Sequence, residues 1–490
     1  MGEEKTEMFD LHTGVRQGCV LSPVLFSLFI NGLAREIKKK GIGVQIGENR
    51  VRLLLYADDI VLLAESKRDL QRMLDVVTEY SRKWRFRVNP KKGKSEVMIF
   101  GRKPREKNRT WWLAGTQIGE TEKYKYLGVE LVSGLNFKIL KQRMIGEARK
   151  RMMLVWAMGM RAGKLPVQDC CRVWAALVRP KLEYAAVVWG EVKWDEAEAV
   201  QREMGKMILG CSSKMANEVV LGELGWWTLK GRRDLLRIKY WSRIVGMSQR
   251  RLVAQVYAHS RARYEAGKPS KWCAHTHAML QQLDMEDAWQ KGQIEPKKAQ
   301  AWQRELKEKI HTREETNWKH NMTSKPKLRT YRTIKNTLTF ETDYLTYKDK
   351  TARQVMTRLR GGTNELRIET GRYPITNRDR RLEIHERRCL LCMSGDVEDE
   401  SHFLIDCILY EDLRSKMWKT VERIVLKKEE KIGDVKKDEE GRRRLMNALL
   451  GKGVTARSDA MDLRTAALGF CKRAMARRNR IVKNELDQGT

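Results

Sequence analysis

Six chemically capable side chains stand out from the 490-residue sequence, in two groups far apart along the chain. The first is the pair Asp58 and Asp59, within Tyr56-Ala57-Asp58-Asp59. Leu53, Leu54 and Leu55 precede the tetrapeptide, and Ile60, Val61, Leu62 and Leu63 follow it. It therefore reads as a tight turn between two half or fully buried strands. Two adjacent carboxylates left unpaired in such a place would each cost several kcal/mol. A divalent cation relieves that cost. Hard carboxylate oxygens hold Mg2+ and leave coordination positions for phosphate oxygens. Two such ions can activate an attacking hydroxyl and stabilise a leaving oxygen. The plain alternative is a surface hairpin whose turn happens to be Asp-Asp, since Asp is common in turns. The second group is Cys389-x2-Cys392-x9-His402-x4-Cys407, with Glu398, Asp399 and Glu400 in its connecting loop. Three thiolates and one imidazole at these spacings suit tetrahedral Zn2+, and four protein ligands leave no open position for catalysis. The alternative here is three buried free thiols and an unrelated His.

The elements that must position these groups follow from hydrophobic spacing. Pro23 to Lys40 has apolar residues at helical intervals and a Pro in its first turn. Leu53 to Ala64 predicts strand, turn and strand. Lys67 to Trp84 predicts a helix with Leu70, Met73, Leu74, Val77 and Tyr80 on one face. Phe86 to Val88 and Glu96 to Phe100 predict strands flanking the turn NPKKGK, and Tyr124 to Leu131 predicts a hairpin arm. From about residue 136 long amphipathic helices take over, over 137–160, 166–190, 194–210 and 230–258. Gly267 with Pro269, and Pro326, mark further boundaries.

Lys and Arg number 98 against 63 Asp and Glu, a formal charge of +35, and 41% of residues are hydrophobic. That composition supports real cores and excludes wholesale disorder. The charge points to a polyanionic partner, most simply nucleic acid, and disfavours a small-molecule enzyme with an ordinary surface. Basic clusters fit phosphate contact: Arg353, Arg358 and Arg360; Arg442, Arg443 and Arg444; Lys472, Arg473, Arg477 and Arg478. No long uncharged apolar run predicts a membrane span. The start MGEEKTEMFD is acidic and lacks the apolar core of a secretory signal. Gly2 and Thr6 fit the minimal myristoylation pattern, which is too short to carry weight. Nine Cys, three of them grouped with a His, read as a reducing compartment with one metal site. His275 and His277 near Cys273 lack a fourth ligand and read as structural. Trp111-Trp112 and Trp226-Trp227 read as core in preference to base-stacking platforms.

The neighbours of the Asp pair give it a family. GVRQGCVLSPVLFSLFINGL lies upstream, from Gly14 to Leu33. VNPKKGKSEVMIFG (Val88 to Gly101) and YKYLGVEL (Tyr124 to Leu131) lie downstream. In this order and spacing they resemble the palm of a reverse transcriptase, of the non-LTR (LINE-type) retrotransposon family. The resemblance is firm over residues 10–132 and continues more weakly to about 210, through LVRPKLEYAAVVWG and VQREMGKMILG. RLRGGTNELRIETGRY, from Arg358 to Tyr373, resembles the segment preceding a C-terminal zinc knuckle in such elements.

The resemblance implies roles position by position. Asp58 is a metal-binding catalytic carboxylate and Asp59 supports it. Tyr56 and Ala57 line the floor near the primer end. Arg16, Gln17 and Gly18 form the turn and helix start that meet template and nucleotide. Lys94 stands near the leaving pyrophosphate, and Tyr126, Leu127 and Gly128 form the hairpin that grips the primer. Cys389, Cys392, His402 and Cys407 hold Zn2+ in a knuckle that grasps RNA or target DNA.

The implied fold class is α+β. It comprises an incomplete right-hand palm (1–132), a helical thumb-like region (133–215), a basic helical linker region (216–350), a zinc-knuckle region (351–425) and a basic helical tail (426–490). The implied reaction is DNA synthesis on an RNA template by two-metal phosphoryl transfer. The partners are RNA template, DNA primer or target and deoxynucleoside triphosphates, assembled in the cytoplasm and acting in the nucleus. The family places a further Asp on a strand some tens of residues before the GVRQG motif. Only 13 residues precede Gly14 here, and Asp10 lies in the lead-in. The first catalytic Asp and the fingers are therefore expected to be missing, and this chain alone to polymerise weakly or not at all. A non-catalytic nucleic-acid-binding protein derived from such an element is the alternative.

Overall fold

The computed structural model describes residues 18–101, 109–160, 163, 165–190, 193–373, 380–426, 430–452 and 457–488. Asp10, Arg16 and Gln17 lie outside them. The chain divides into two units, one of residues 1–140 with 244–274, the other of residues 141–243 with 275–490.

In the first unit, α1 (Ser22–Lys39) starts with Pro23 in its first turn and ends on Lys38 and Lys39, which suit the negative end of its dipole. It buries Ile30, Leu33 and Ile37, a single helical stripe. α2 (Lys67–Lys83) is capped by Ser66, whose hydroxyl accepts from the Asp69 amide at 3.1 Å. Its buried face includes Met73, Leu74, Val77 and Tyr80, as the spacing predicts. The two helices meet where the Tyr80 hydroxyl donates to the Phe29 carbonyl at 2.8 Å. Gly32 permits this approach, because a Cβ there would stand 2.3 Å from the Tyr80 oxygen.

The same unit holds four antiparallel hairpins: β1–β2 (Val44–Ile46, Asn49–Val51), β3–β4 (Leu53–Tyr56, Asp59–Leu62), β5–β6 (Trp111–Leu113, Thr116–Ile118) and β7–β8 (Lys123–Tyr126, Val129–Val132). Among the described residues the eight strands pair only within these hairpins, not in one continuous sheet. The Gln71 side chain fastens β5 to α2 by making both backbone bonds of Trp112, at 2.8 and 2.9 Å. The strands expected at Phe86–Val88 and Glu96–Phe100 do not form. The Phe86 amide is used in closing α2, donating to Ser81 O at 3.1 Å, and Val97 makes one isolated parallel bridge to Glu120.

Beyond β8 the chain is helical: α3 (Lys138–Val155), α4 (Val167–Val173), α5 (Arg179–Glu183), α6 (Ala186–Trp189), α7 (Asp195–Leu209), α8 (Asn217–Leu224), α9 (Leu229–Val245), α10 (Leu252–Glu265) and α11 (Lys271–Gln282). There follow α12 (Glu286–Lys291), α13 (Ala299–Thr323), α14 (Arg329–Ile334), α15 (Lys350–Arg360), α16 (Arg367–Thr370), α17 (Glu411–Ile424), α18 (Ile432–Val435), α19 (Glu439–Leu450) and α20 (Arg457–Gln488). The helices expected over 166–190 and 230–258 are each broken. Ala185 enters the left-handed region at φ 54° in the first, and a turn at 246–251 separates α9 from α10 in the second.

In the second unit α20 packs on α15 and α17 through Leu463, Ala467, Leu468, Cys471, Ala474 and Met475. A wholly buried ion cluster ties together elements distant in sequence. Arg360 Nη2 donates to Glu223 and to Glu341, both at 2.9 Å, and Nη1 donates to the Leu450 carbonyl. The tryptophans pack inward as expected: Trp226 stacks on Trp174 with centroids 5.4 Å apart, and Trp227 Nε1 bonds His311 Nδ1 at 3.0 Å. Trp112, by contrast, is exposed while Trp111 is buried.

Candidate active site and metal centre

Leu53 pairs with Leu62, Leu54 with Val61, Leu55 with Ile60 and Tyr56 with Asp59, so Ala57 and Asp58 are the turn residues. Ala57 takes φ 49°, the positive value a two-residue hairpin loop requires. The strands are half-buried, yet Tyr56, Ala57, Asp58 and Asp59 are all exposed. The desolvation cost expected for this carboxylate pair is therefore absent: the strands bury the apolar side chains while the turn carries both carboxylates into water. Among the described residues no third acidic group joins them in a metal-sized cluster.

Two tyrosines of β7 feel the charge of Asp59, and one of them binds the Lys94 loop. Burial, and then the charge of Asp59, raise the Tyr124 and Tyr126 pKa values above the ordinary phenol range. Tyr124 in turn donates its hydroxyl to the Lys94 carbonyl at 2.8 Å. The Lys94 loop is shaped by Gly93 at φ 81° and by bonds from the Lys94 and Ser95 amides to Lys91 O, at 2.9 and 3.2 Å. The β7–β8 hairpin turns through Leu127 (φ 46°) and Gly128 (φ 77°). Both turn residues have positive φ, as in a primed hairpin turn, so Gly128 is there at no steric cost while Leu127 is strained. Gly18, exposed at φ 82°, leads into α1, and no hydrogen bond joins it to the Asp58 turn among the described residues. Arg16 and Gln17 are not described. Tyr124 was not singled out in sequence, although its position two residues before Tyr126 on one strand was a signal that they share a face.

The second group assembles fully. The ligand atoms of Cys389, Cys392, His402 and Cys407 all lie within 4.8 Å of one another. Tetrahedral zinc would set sulfur–sulfur separations of about 3.8 Å, so the donor set fits. Cys392 Sγ and His402 Nε2 are 3.3 Å apart, and His402 Nδ1 faces the Asp396 carboxylate at 3.8 Å, the usual outer partner of a ligating imidazole. A hydrogen bond with Cys407 draws the Cys389 thiol well below its ordinary range and raises Cys407 correspondingly. Burial disfavours charge on His402, but hydrogen bonding and charge from Cys389 and Cys392 outweigh it and lift its pKa to about 9.

The acidic loop does more than connect ligands. Glu398 is buried and accepts from Arg478 at 2.6 and 2.8 Å and from the Arg367 amide at 2.8 Å. Glu400, also buried, accepts from Arg329 and from Asn364 Nδ2. The cluster is thus clasped to α14, α16 and α20.

The basic clusters read as phosphate contacts are largely occupied within the fold. Arg360 and Arg478 sit in the pairs above, Arg353 donates to the Tyr347 and Lys348 carbonyls, and Arg358 pairs with Glu365. Arg442 pairs with Asp406, Arg444 with Glu430, Lys472 with Asp349 and Arg477 with Asp412. His277 bonds Glu286 at 2.9 Å and stacks on Trp289, the structural role expected of it. Among the described residues no helix is long and apolar enough to cross a membrane.

Residues 1–131 match the family model described as reverse transcriptase (RNA-dependent DNA polymerase). The chain is 30% identical over 187 residues to the RNA-directed DNA polymerase from mobile element jockey of Drosophila funebris, covering 37% of this chain and 20% of that protein. It is 30% identical over 123 residues to the Pol polyprotein from the type-1 retrotransposable element R2 of Nasonia vitripennis, covering 24% and 12%. A third relative, the Pol polyprotein from type-1 retrotransposable element R1 2 of Nasonia vitripennis, is 24% identical over 237 residues, covering 44% and 54%. The chain thus spans a fifth or less of the first two relatives. Motif order, hairpin geometry and relatives agree that residues 1–131 form a reverse transcriptase domain similar to those of non-LTR (LINE-type) retrotransposons.

Proposed function

We propose that this chain supplies the palm turn and helical C-terminal part of an RNA-directed DNA polymerase that copies element RNA into DNA. The observation that carries the reading is the paired Tyr56–Asp59 hairpin turn, which presents two adjacent carboxylates at the surface. Two exposed carboxylates on a hairpin turn fit Mg2+ held by one or two carboxylates, with other positions left for water and phosphate. When bound, such ions would activate the primer 3′-hydroxyl and neutralise the departing pyrophosphate. Asp58 and Asp59 are their ligands in this reading. Tyr56 and Ala57 form the floor under the primer end, and the turn Tyr126-Leu127-Gly128 holds the primer strand. Lys94 Nζ provides a proton for the leaving pyrophosphate, and Gly18, with Arg16 and Gln17, meets template and nucleotide. RNA template, DNA primer and deoxynucleoside triphosphates are the substrates, with cytoplasmic assembly and nuclear action. The arrangement belongs to an α+β polymerase palm followed by a helical thumb.

Cys389, Cys392, His402 and Cys407 hold Zn2+ in this reading. The buried Glu398–Arg478 pair and the ties of Glu400 support a structural clasp within the helical unit in place of the expected nucleic-acid grip. A second reading, a nucleic-acid-binding protein without catalysis, is favoured by one observation: no third carboxylate joins Asp58 and Asp59 among the described residues. Primer extension on an RNA template with Mg2+, beside Asp58→Asn and with template binding measured on the same samples, separates them. Extension abolished by Asp58→Asn supports the polymerase. Equal binding by both proteins with no extension by either supports the second reading.

A further inference from the structure

The free positive charge of the first unit is concentrated where α2 ends. Arg82, Lys83, Arg85, Arg87, Lys91, Lys92 and Lys94 are seven cations in thirteen residues, with no acid between them. All are exposed, and none has a side-chain ion pair or hydrogen bond among the described residues. In the second unit, by contrast, arginines such as Arg360, Arg442, Arg477 and Arg478 are paired with carboxylates. Arg82, Arg85 and Arg87 line an open groove of about 470 Å3, with Phe86, Val88 and Pro90 as its apolar wall.

The backbone accounts for how the arginines are presented. α2 closes with a Schellman motif: the Phe86 amide donates to Ser81 O at 3.1 Å and the Arg85 amide to Arg82 O at 3.4 Å. The Phe86 ring returns to Tyr80, 6.1 Å between centroids. The residue at the left-handed position is ordinarily Gly, yet here it is Arg85 at φ 55°. Local folding alone would favour Gly there. Beyond it exposure alternates, with Arg85, Arg87 and Asn89 outward and Phe86, Val88 and Pro90 turned in. Trp84, half exposed, packs one side on Phe29 and Tyr80 between Lys83 and Arg85. Cations interleaved with an available aromatic face are the means by which single strands are held without sequence preference.

We propose that the Arg82–Arg85–Arg87 groove, continued by Lys91 and Lys92, is a binding track for the phosphodiester backbone of single-stranded nucleic acid, with Trp84 as a stacking platform. The proposal rests on the nucleic-acid reading above but not on catalysis, since Asp58 and Asp59 take no part in it.

The test is the salt dependence of binding of a short labelled single-stranded RNA to the full chain. Each phosphate contact on a single strand contributes about 0.7 to the slope of log affinity against log salt. The variant Arg82→Gln/Arg85→Gly/Arg87→Gln should lower that slope by about 2 while the protein melts as the wild type does, because Gly suits φ 55° at least as well as Arg. The control Arg250→Gln/Arg251→Gln removes two exposed cations elsewhere in the unit and should leave the slope unchanged. Trp84→Leu should weaken single-stranded RNA but not duplex DNA or inorganic polyphosphate. An unchanged slope in the triple variant, or equal losses in the control, overturns the proposal. If the triple variant binds as the wild type does while Asp58→Asn still abolishes extension, the track fails and the polymerase reading stands. If the wild type binds no RNA, both fail.

Discussion

Arg360 separates two uses of a basic residue that sequence alone does not distinguish. If it contacts phosphate, replacing it weakens RNA binding and spares the fold. In the structure its side chain is fully buried, as is Glu223, and it joins Glu223, Glu341 and the Leu450 carbonyl across four segments of the helical unit. Arg360→Met keeps most of the side-chain bulk and leaves two carboxylates without their main partner. Breaking a buried pair in this way costs about 3–5 kcal/mol, and no solvent screens this one. At about 1.4 kcal/mol per tenfold change, the folded-to-unfolded ratio of the unit falls by a factor on the order of 100 or more. Thermal or urea unfolding followed by tryptophan fluorescence reads the loss, since Trp174, Trp189 and Trp241 are all buried in this unit. The deficit also has a pH signature. Burial already pushes Glu223 above the usual carboxylate range, against the pull of Arg360, whereas at Glu341 burial also pushes up but Arg360 and Lys335 outweigh it and hold the group below that range. Without Arg360 both folded-state values rise above the unfolded value of about 4.3. A raised carboxylate stabilises the fold below its unfolded pKa and loses that contribution as pH rises through its folded value. The Arg360→Met deficit should therefore be largest at neutral pH and shrink as pH falls. A variant as stable as the wild type, with a flatter salt dependence for RNA, would refute the structural role.

Chelation of zinc, or Cys407→Ser, should lower the unfolding transition of the helical unit and free α20 to proteolysis, because Arg478 joins that helix to the Cys/His loop; intact protection of α20 without metal would contradict the clasp. Asp59→Asn should move the tyrosinate titration of Tyr124 and Tyr126 toward the ordinary phenol range, and added Mg2+ should do the same in the wild type; an unshifted ultraviolet titration would separate those hairpins. Gly32→Ala should cost about 1–3 kcal/mol in the first unit by displacing Tyr80 from Phe29, measured by denaturant unfolding, and a neutral result would mean the helices are less closely packed.

Local chemistry made several elements readable in the sequence. Pro23 with apolar residues at helical spacing marks α1, and the Leu70, Met73, Leu74, Val77, Tyr80 face marks α2. The Asp58–Asp59 turn is legible because apolar residues flank it symmetrically, and the Cys/His group because ligand spacing is itself a geometric statement. Phe86–Val88 and Glu96–Phe100 have strand composition but find no ladder, since pairing depends on distant partners and the Phe86 amide is used by the helix end. Pattern also implied that flanking burial would extend to the carboxylates, whereas a hairpin turn carries its tip out of the layer its strands occupy. The fate of the basic clusters was hidden for a similar reason. Arg360 meets Glu223 across 137 residues and Arg478 meets Glu398 across 80, and nothing local shows such a partner. Glu398 and Glu400 look like solvated loop residues until the fold buries them.

The central claim is that a divalent cation is held at the Asp58–Asp59 turn, beside Tyr124, Tyr126 and the Lys94 loop. Replacing Mg2+ with Fe2+ on the chain bound to an RNA template and DNA primer, and then generating hydroxyl radicals at the iron, maps that position directly on the backbone. Cuts clustered at the Tyr56–Asp59 turn, the Lys94 loop and the Tyr124–Gly128 strand and turn, and lost in Asp58→Asn/Asp59→Asn, are predicted. Cuts elsewhere, or a pattern that survives those substitutions, would contradict the claim.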